Sequence, residues 1–276
     1  MTYWIAGVLL FLVALYIFVD REIYFYEGTH LGRRVQGWLY DRWAKKYDAG
    51  KHASQEHDAE MLGRPLLEAL RGVPAPFVLD VATGTGRLPL ALLREPEFLG
   101  SIIAMDISLG MLEQAGLKLA GFKTGVTLAL QSGWPLPFPD GSFDMVCCLE
   151  ALEVMPEIET PLAELYRVLR PGGTLVTSRG TEASGRRAKV ISAEGFTKLL
   201  EAKGFVTVEI APWWKLFDRV LARKPGSLVP ATRRSLDDVL LCPVCSKTAW
   251  SDGFTSLRCA ACGQEVAVST ERIVLL

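Results

Sequence analysis

Hydrophobic and polar positions divide the chain into stretches of different period. Tyr3 to Val19 is uncharged and almost wholly apolar. Its seventeen residues, at about 1.5 Å each, reach roughly 26 Å, near the lower limit for a bilayer span. Tyr3 and Trp4 stand at one end, and Tyr24, Phe25 and Tyr26 lie beyond the other, as interface aromatics do. From His30 to Tyr47 the pattern turns amphipathic, with Val35, Trp38, Leu39, Arg42, Trp43 and Lys46 at helical spacing. Two readings fit it: a helix packed on the rest of the protein, or one lying on a lipid surface. Met61 to Leu70 predicts another amphipathic helix, and Gly72-Val-Pro-Ala-Pro a connector. From Phe77 onward, short apolar runs alternate with helical periodicity. Strands are expected at 77–82, 101–106, 126–130, 143–149, 173–178, 204–210 and 215–223. Helices are expected at 86–94, 108–120, 158–169 and 192–203. This alternation predicts a doubly wound, mostly parallel α/β sheet of seven strands, with ligands at the carboxyl ends of the strands.

Composition narrows the picture. At 276 residues and a net charge of −1, the chain has room for one ordinary domain plus extras and lacks a global basic field for nucleic acid. The mean hydropathy of +0.23 owes much to the first twenty residues. A cleaved signal would want a basic start and a small-residue cleavage site. Here the start carries no Lys or Arg, and Asp20-Arg-Glu follows the run directly. The reading is therefore a membrane helix, with a signal segment and a buried core helix as alternatives. Arg21, Arg33, Arg34, Arg42, Lys45 and Lys46 all follow it, so the positive-inside rule places the rest of this single-pass chain in the cytoplasm.

The chemistry centres on Val78-Leu-Asp-Val-Ala-Thr-Gly-Thr-Gly86. An apolar run ends in an acid, and a glycine turn leads into a helical pattern. Gly84 and Gly86 leave out the Cβ atoms that would block a ligand's approach. A Gly-x-Gly turn alone is a weak signal, and the dinucleotide pattern would want a third glycine near position 89, where Pro89 stands. Ser101-Ile-Ile-Ala-Met-Asp106 is a second apolar run ending in an acid, where a ribose-binding carboxylate belongs. Phe138-Pro-Asp-Gly-Ser-Phe-Asp-Met-Val146 and Leu165-Tyr-Arg-Val-Leu-Arg-Pro-Gly-Gly173 follow.

In that order the four motifs resemble the class I S-adenosylmethionine-dependent methyltransferases, and most of all the quinone-biosynthesis C-methyltransferases, over roughly residues 36–224. The resemblance implies a Rossmann-like sheet and S-adenosylmethionine as methyl donor. It gives Asp80 the ammonium of the amino-acid tail, directly or through water, or else the capping of its own turn. Ala82, Thr83, Gly84 and Gly86 would carry backbone past the cofactor. Asp106 would accept the ribose hydroxyls, unless it serves as a helix N-cap, a task open equally to Ser108. Ile107 and Met111 would flank the adenine. Ser132 stands where the family often has an acid for the adenine amine, with Gly133 beside it. Trp134 would stack on that ring or fill the core, and Leu149 would close the cofactor side near the methyl group. Tyr40 and Tyr47 lie in a segment like the family's N-terminal cover, as cofactor or substrate contacts or as packing aromatics.

No catalytic residue is assigned, because in-line methyl displacement draws much of its rate from alignment and exclusion of water. Glu150 and Glu153 are the only acids near the expected methyl position. They read as a substrate contact or proton acceptor or, more ordinarily, as a solvated helix face. His52 and His57 lie in a polar stretch with no partner placed beside them, which favours solvent over a general base. Arg186, Arg187 and Lys189 form a basic cluster, either a solvated loop or a contact for anionic headgroups.

The six cysteines comprise Cys147-Cys148 within an apolar run and two Cys-x-x-Cys pairs. Such usage fits a reduced, metal-binding chain rather than a disulfide scaffold. Cys242, Cys245, Cys259 and Cys262, with thirteen residues between the pairs, supply four thiolates for a structural zinc with no open position. Iron in a rubredoxin-like site is the lesser alternative. The segment resembles the small zinc-ribbon activators of transfer-RNA and translation-factor methyltransferases, here fused in cis, with Glu265-Val-Ala-Val-Ser replacing their usual aromatic-proline segment. The expected organisation is an anchor at 1–22, juxtamembrane and N-terminal helices at 23–75, a methyltransferase domain at 76–224, a linker at 225–237 and a zinc ribbon at 238–276. The expected activity is methylation of a lipophilic small molecule, such as a quinone precursor or lipid, at the membrane. An RNA or protein methyltransferase using the ribbon for recognition is one rival. A non-catalytic cofactor-binding scaffold is the other.

Overall fold

A computed structural model describes residues 2–122, 125–131, 133–155, 157–184, 190–229, 233–253 and 255–276. Three helices precede the sheet: α1 (Thr2–Phe18), α2 (Arg33–Gln55) and α3 (Arg64–Ala69). Then come β1 (Phe77–Val81), α4 (Arg87–Leu93), β2 (Ser101–Asp106), α5 (Leu109–Leu119), β3 (Val126–Leu130) and β4 (Phe143–Cys148). The second half holds α6 (Glu159–Val168), β5 (Leu169–Gly180), α7 (Ala193–Ala202), β6 (Val206–Trp214) and β7 (Phe217–Arg223). The C-terminal segment adds β8 (Trp250–Asp252), β9 (Ser256–Cys259), β10 (Glu265–Ala267) and β11 (Ile273–Leu275).

The main sheet runs β11-β3-β2-β1-β4-β5-β7-β6, with β7 antiparallel to both its neighbours. Every residue of β1 is buried, as expected of a parallel strand covered on both faces. Leu79, Ile103 and Val146 face one side, while Val78, Ile102 and Met145 face the other. Ser108 caps α5 by accepting from the Met111 amide, and Ser192 caps α7 by accepting from the Gly195 amide. The expected strands and helices stand close to their predicted places. β5 starts earlier than expected because Leu169 pairs with Phe143 across a bulge.

Two findings change the picture drawn from the sequence. First, the seven expected strands are joined by an eighth. β11 lies parallel to β3, pairing Ile273 with Leu128 and Leu275 with Leu130. Strands β8 to β10 form a separate small antiparallel sheet. Second, the C-terminal segment shares the core of the main sheet: Leu240, Leu257 and Val266 pack in the cluster that contains Leu136, Phe138 and Phe143. The chain leading to it is strapped across the amino ends of the strands. Ser101 Oγ donates to the Arg234 carbonyl at 2.6 Å, and Arg234 reaches the Asp144 carboxylate at 3.3 Å.

The apolar segment forms a helical stretch, Tyr3–Phe25, whose most apolar 18-residue window has mean hydropathy 2.1 and is not buried. That removes the buried-core alternative; length and composition suit a membrane span, and a signal sequence passes the same test. α2 packs on α5, with Asp41 Oδ1 accepting from Ser108 Oγ at 2.6 Å and from the Gly110 amide at 2.8 Å. The packed reading of this helix thus holds for Leu39 and Ala44, which are buried, while Trp38 stays exposed under the Arg42 guanidinium.

Candidate active site

A cavity of about 460 Å³ opens at the carboxyl ends of β1 to β4, roofed by α2. Doubly wound sheets hold ligands at this end. Ala82 and Gly84 line it after β1, Asp106, Ile107 and Met111 after β2, Gly133 and Trp134 after β3, and Leu149 and Glu150 after β4. Tyr40 and Tyr47 border it from α2. Ser132, Arg186, Arg187 and Lys189 lie outside the described residues.

The glycine turn shows why its residues differ. Gly84 has φ +55°, and a Cβ there would meet nothing within 4 Å. It combines a left-handed backbone with open space at the cavity wall. Gly86, at φ +79°, faces elsewhere: a Cβ would lie 3.2 Å from Ala115 and 3.1 Å from Leu119 of α5. It lies outside the cavity lining and lets α4 close on α5. Thr83 and Asp80 border a smaller annex of about 50 Å³ beside the main cavity.

Both strand-end acids are buried and held by short bonds. Thr83 Oγ1 donates to Asp80 Oδ2 at 2.6 Å, and burial pushes the Asp80 carboxyl up to about 7. The Asp106 carboxylate accepts from the Gly84 amide at 2.8 Å and the Ser108 amide at 2.9 Å. Burial still raises it to about 6, against the pull of those amides. Ser108, not Asp106, caps α5, which closes the capping alternative for Asp106. Burial also raises the Tyr47 phenol above its ordinary value, and lifts the Tyr40 phenol, which donates to the Glu27 carboxylate.

Glu150 and Glu153 do not form a solvated helix face. Glu150 sits at φ +52° with its side chain only 14% exposed. Arg87 donates to it at 3.0 Å, and Lys51 pairs with it as well. Glu153 Oε1 accepts from Ser178 Oγ at 2.7 Å, and burial pushes the carboxyl up to about 7. The histidines lie apart from the cavity lining: His52 is exposed and pairs with Glu56, and His57 is exposed with its ring 6.0 Å from that of Trp214.

Arg87 is the site residue that the sequence concealed. It holds Asp58 through two bonds of 2.8 and 2.6 Å, reaches the Ser54 carbonyl at 2.9 Å and stacks over Trp213. These contacts tie the end of α2 and the chain after it to the glycine turn and to the loop after β4.

Two further chambers adjoin the main cavity. One, of about 160 Å³, shares Tyr47, Glu150 and Val154 with it. The other, of about 530 Å³, shares Met155 and Glu157. Their walls include Tyr26, Glu27 and His30, which directly follow the apolar helical stretch.

In the C-terminal segment the four Sγ atoms of Cys242, Cys245, Cys259 and Cys262 all lie within 4.8 Å of one another. The pairs Cys242–Cys262 and Cys245–Cys259 stand 3.5 and 3.6 Å apart. Four sulfurs about 2.3 Å from a tetrahedral ion would be separated by roughly 3.8 Å, so the cluster fits such an ion with little movement.

The family described as "Methyltransferase domain" matches residues 79–177. The demethylmenaquinone methyltransferase of Symbiobacterium thermophilum is 35% identical over 150 residues, covering 54% of this chain and 60% of that protein. The ubiquinone/menaquinone biosynthesis C-methyltransferase of Geobacter sulfurreducens is 29% identical over 204 residues, covering 73% and 79%. A crystal structure of a methyltransferase from Aquifex aeolicus, dependent on S-adenosylmethionine, superposes with a TM-score of 0.54 at 22% identity, over 66% of this chain and 97% of that one. The chain belongs to the class I S-adenosylmethionine-dependent methyltransferases.

Proposed function

We propose that this methyltransferase is anchored in a membrane by its N-terminal helix, faces the cytoplasm, and methylates a ring carbon of a lipophilic quinone-type acceptor. One observation carries the reading: the chambers beside the main cavity are walled by Tyr26, Glu27 and His30, at the foot of the apolar helical stretch. A bilayer-dissolved acceptor would meet the protein there. The demethylmenaquinone and ubiquinone/menaquinone methyltransferases that the chain resembles supply the acceptor class.

When bound, S-adenosylmethionine supplies an electrophilic methyl group on a sulfonium. The main cavity suits it chemically. Each oxygen of Asp106 takes one backbone N–H and keeps capacity for a ribose hydroxyl. Asp80 offers a carboxylate to the ammonium from the annex, and Thr83 steadies it. Ala82 and Gly84 would bring backbone close, Ile107, Met111 and Trp134 would offer apolar surface to the adenine, and Leu149 would close the side of the methyl group, all from the cavity wall. Tyr40 and Tyr47 on α2 exclude water from above. The four cysteines hold a structural zinc; the anchor, N-terminal helices, catalytic domain, linker and ribbon keep their expected order, but β11 at the end of the ribbon belongs to the catalytic sheet.

The test uses membranes from cells expressing the chain, incubated with methyl-labelled S-adenosylmethionine and extracted with organic solvent. Label in the organic phase, lost in Asp106→Ala, is the expected result. Label confined to RNA or protein would overturn the acceptor.

A further inference from the structure

Glu150 and Glu153 are neighbouring acids in opposite surroundings. Glu150 is held by two cations, Arg87 and Lys51. Glu153 has no ion-pair partner among the described residues. Its Oε1 accepts from Ser178 Oγ, while Oε2 is buried with no hydrogen-bond partner among the described residues. The Ser178 hydroxyl in turn accepts from the Glu150 amide at 2.7 Å, which fixes both acids to one point of β5. Glu153 is also the acid common to both side chambers. A buried carboxylate without an ion-pair partner among the described residues, lining a cavity beside an ion-paired one, is a candidate acid–base group.

We propose that Glu153 is the general base of the reaction, taking the proton from a ring hydroxyl of an acceptor bound in the chambers that it lines. This rests on the quinone-type reading above, in its reduced dihydroxy form, because only the reduced ring is electron-rich enough to attack. The acceptor's O–H bond breaks, its proton passes to the Glu153 carboxylate, and the electron pair raises the density at the ring carbon. That carbon bonds the methyl carbon as the methyl–sulfur bond breaks, its pair remaining on sulfur. The ring proton on the same carbon then leaves to water, and Glu153 returns its proton to the oxygen. The net release is one proton to solvent.

The surroundings suit this role. Burial above all pushes the Glu153 carboxyl upward, against the pull of the Ser178 hydrogen bond, and the charges of Glu150 and Glu27 add to the rise. Tyr47 and Lys51 on α2 border one chamber; Arg179 on β5, His30 and Glu157 border the other. The cations are engaged elsewhere, Lys51 with Glu150 and Arg179 with Asp218. The Cys148 thiol near Glu153 is itself raised by burial and stays protonated. A base that titrates near the working pH is the most efficient kind.

The experiment uses the full chain in detergent micelles, with a short-chain prenylated dihydroxynaphthalene kept reduced as acceptor. Glu153→Gln is expected to lower kcat by roughly 10²–10⁴-fold, with S-adenosylmethionine affinity unchanged. At saturating S-adenosylmethionine, where ionisation of Asp80 no longer limits binding, the wild-type rate should rise with pH and level off above about 7. In Glu153→Gln that limb should vanish, leaving a rate that follows ionisation of the free hydroxyl. Ser178→Ala is a second variant that keeps the acid. Losing that hydrogen bond raises the Glu153 carboxyl further, so the acidic limb should move to higher pH. If the wild type methylates this acceptor while Glu153→Gln matches its rate and pH profile, or the limb stays put in Ser178→Ala, the base assignment is overturned and the acceptor class stands. A wild type that binds S-adenosylmethionine but leaves this acceptor unmethylated overturns both.

Discussion

Gly84 and Gly86 share a left-handed backbone and differ in what lies beyond the Cα, which makes them a test of the site at the scale of single residues. Gly84→Ala adds a methyl into open space at the cavity wall. It should cost about 1–2 kcal/mol of backbone strain and weaken S-adenosylmethionine binding well beyond that, by blocking its approach. Gly86→Ala instead meets Ala115 and Leu119 of α5. It should lower stability by the same backbone strain of about 1–2 kcal/mol plus about 1–3 kcal/mol through overpacking, and leave cofactor affinity in the folded protein near wild type. Thermal unfolding and calorimetric titration of both variants check this, and a reversed pattern would sink the assignment. The strand-end acids give a pH test. Their folded values are raised to about 7 for Asp80 and about 6 for Asp106. Their protonated forms therefore stabilise the empty protein below the ordinary carboxylate range, and this contribution is lost as pH rises through 6 to 7. Relative to Asp80→Asn, the empty wild type should lose melting temperature between pH 5 and pH 8. Binding of the cationic tail needs the ionised form, so cofactor affinity should strengthen over the same interval. These acids were legible in the sequence because each ends an apolar run. The Arg87 network was not: its partners Asp58 and Glu150 lie 29 and 63 residues away, and no local period connects them. For the same reason a solvated helix face looked the more ordinary reading of Glu150 and Glu153 than a site role, since glutamates are usually exposed and only the fold brings β5 and α2 over them.

Periodicity located the strands and helices of the catalytic domain because each buries a face with its own repeat. It did not reveal β11. Three residues after a turn are too short to show alternation, and the partner strand is remote in sequence. Yet Ile273 is fully buried, and the strand covers the edge of β3 that would otherwise present unpaired backbone groups. Ile273→Ala should therefore cost about 2–5 kcal/mol, as for a core position, rather than the small change expected of a frayed tail. A denaturant midpoint left unmoved would show that β11 is not part of the sheet's cooperative unit. The same blindness to distant partners explains α2. Its pattern allowed either a lipid-facing or a packed helix, and the choice rests on Asp41, which binds the Ser108 hydroxyl and the Gly110 amide at the start of α5. The roof of the cavity is thereby fixed to the helix that follows Asp106.

At the scale of the whole molecule, the C-terminal segment is a wall of the enzyme rather than an appendage. Leu136 lines the main cavity and packs in the cluster that holds Leu240 and Leu257, the latter only two residues before Cys259. A metal held by the four cysteines would therefore support the cavity through three links: the thiolates, the β8–β10 sheet, and the shared core reaching β3 through β11. In small ribbons the free energy of metal binding is largely free energy of folding. Removing the ion should thus act beyond the ribbon itself. We expect a strong chelator, or Cys259→Ser, to lower the melting temperature of the full chain by roughly 10 °C or more, since each kcal/mol shifts a domain of this size by about 2–4 °C. The loss should appear as one transition, reported at the same temperature by tryptophan circular dichroism and by release of bound S-adenosylmethionine. Two separated transitions, with cofactor binding surviving the first, would show that the ribbon unfolds alone and that the shared cluster carries little coupling. A single shifted transition would mean that the metal, the eighth strand and the cofactor cavity stand or fall together, which is the behaviour expected of a ribbon built into the sheet.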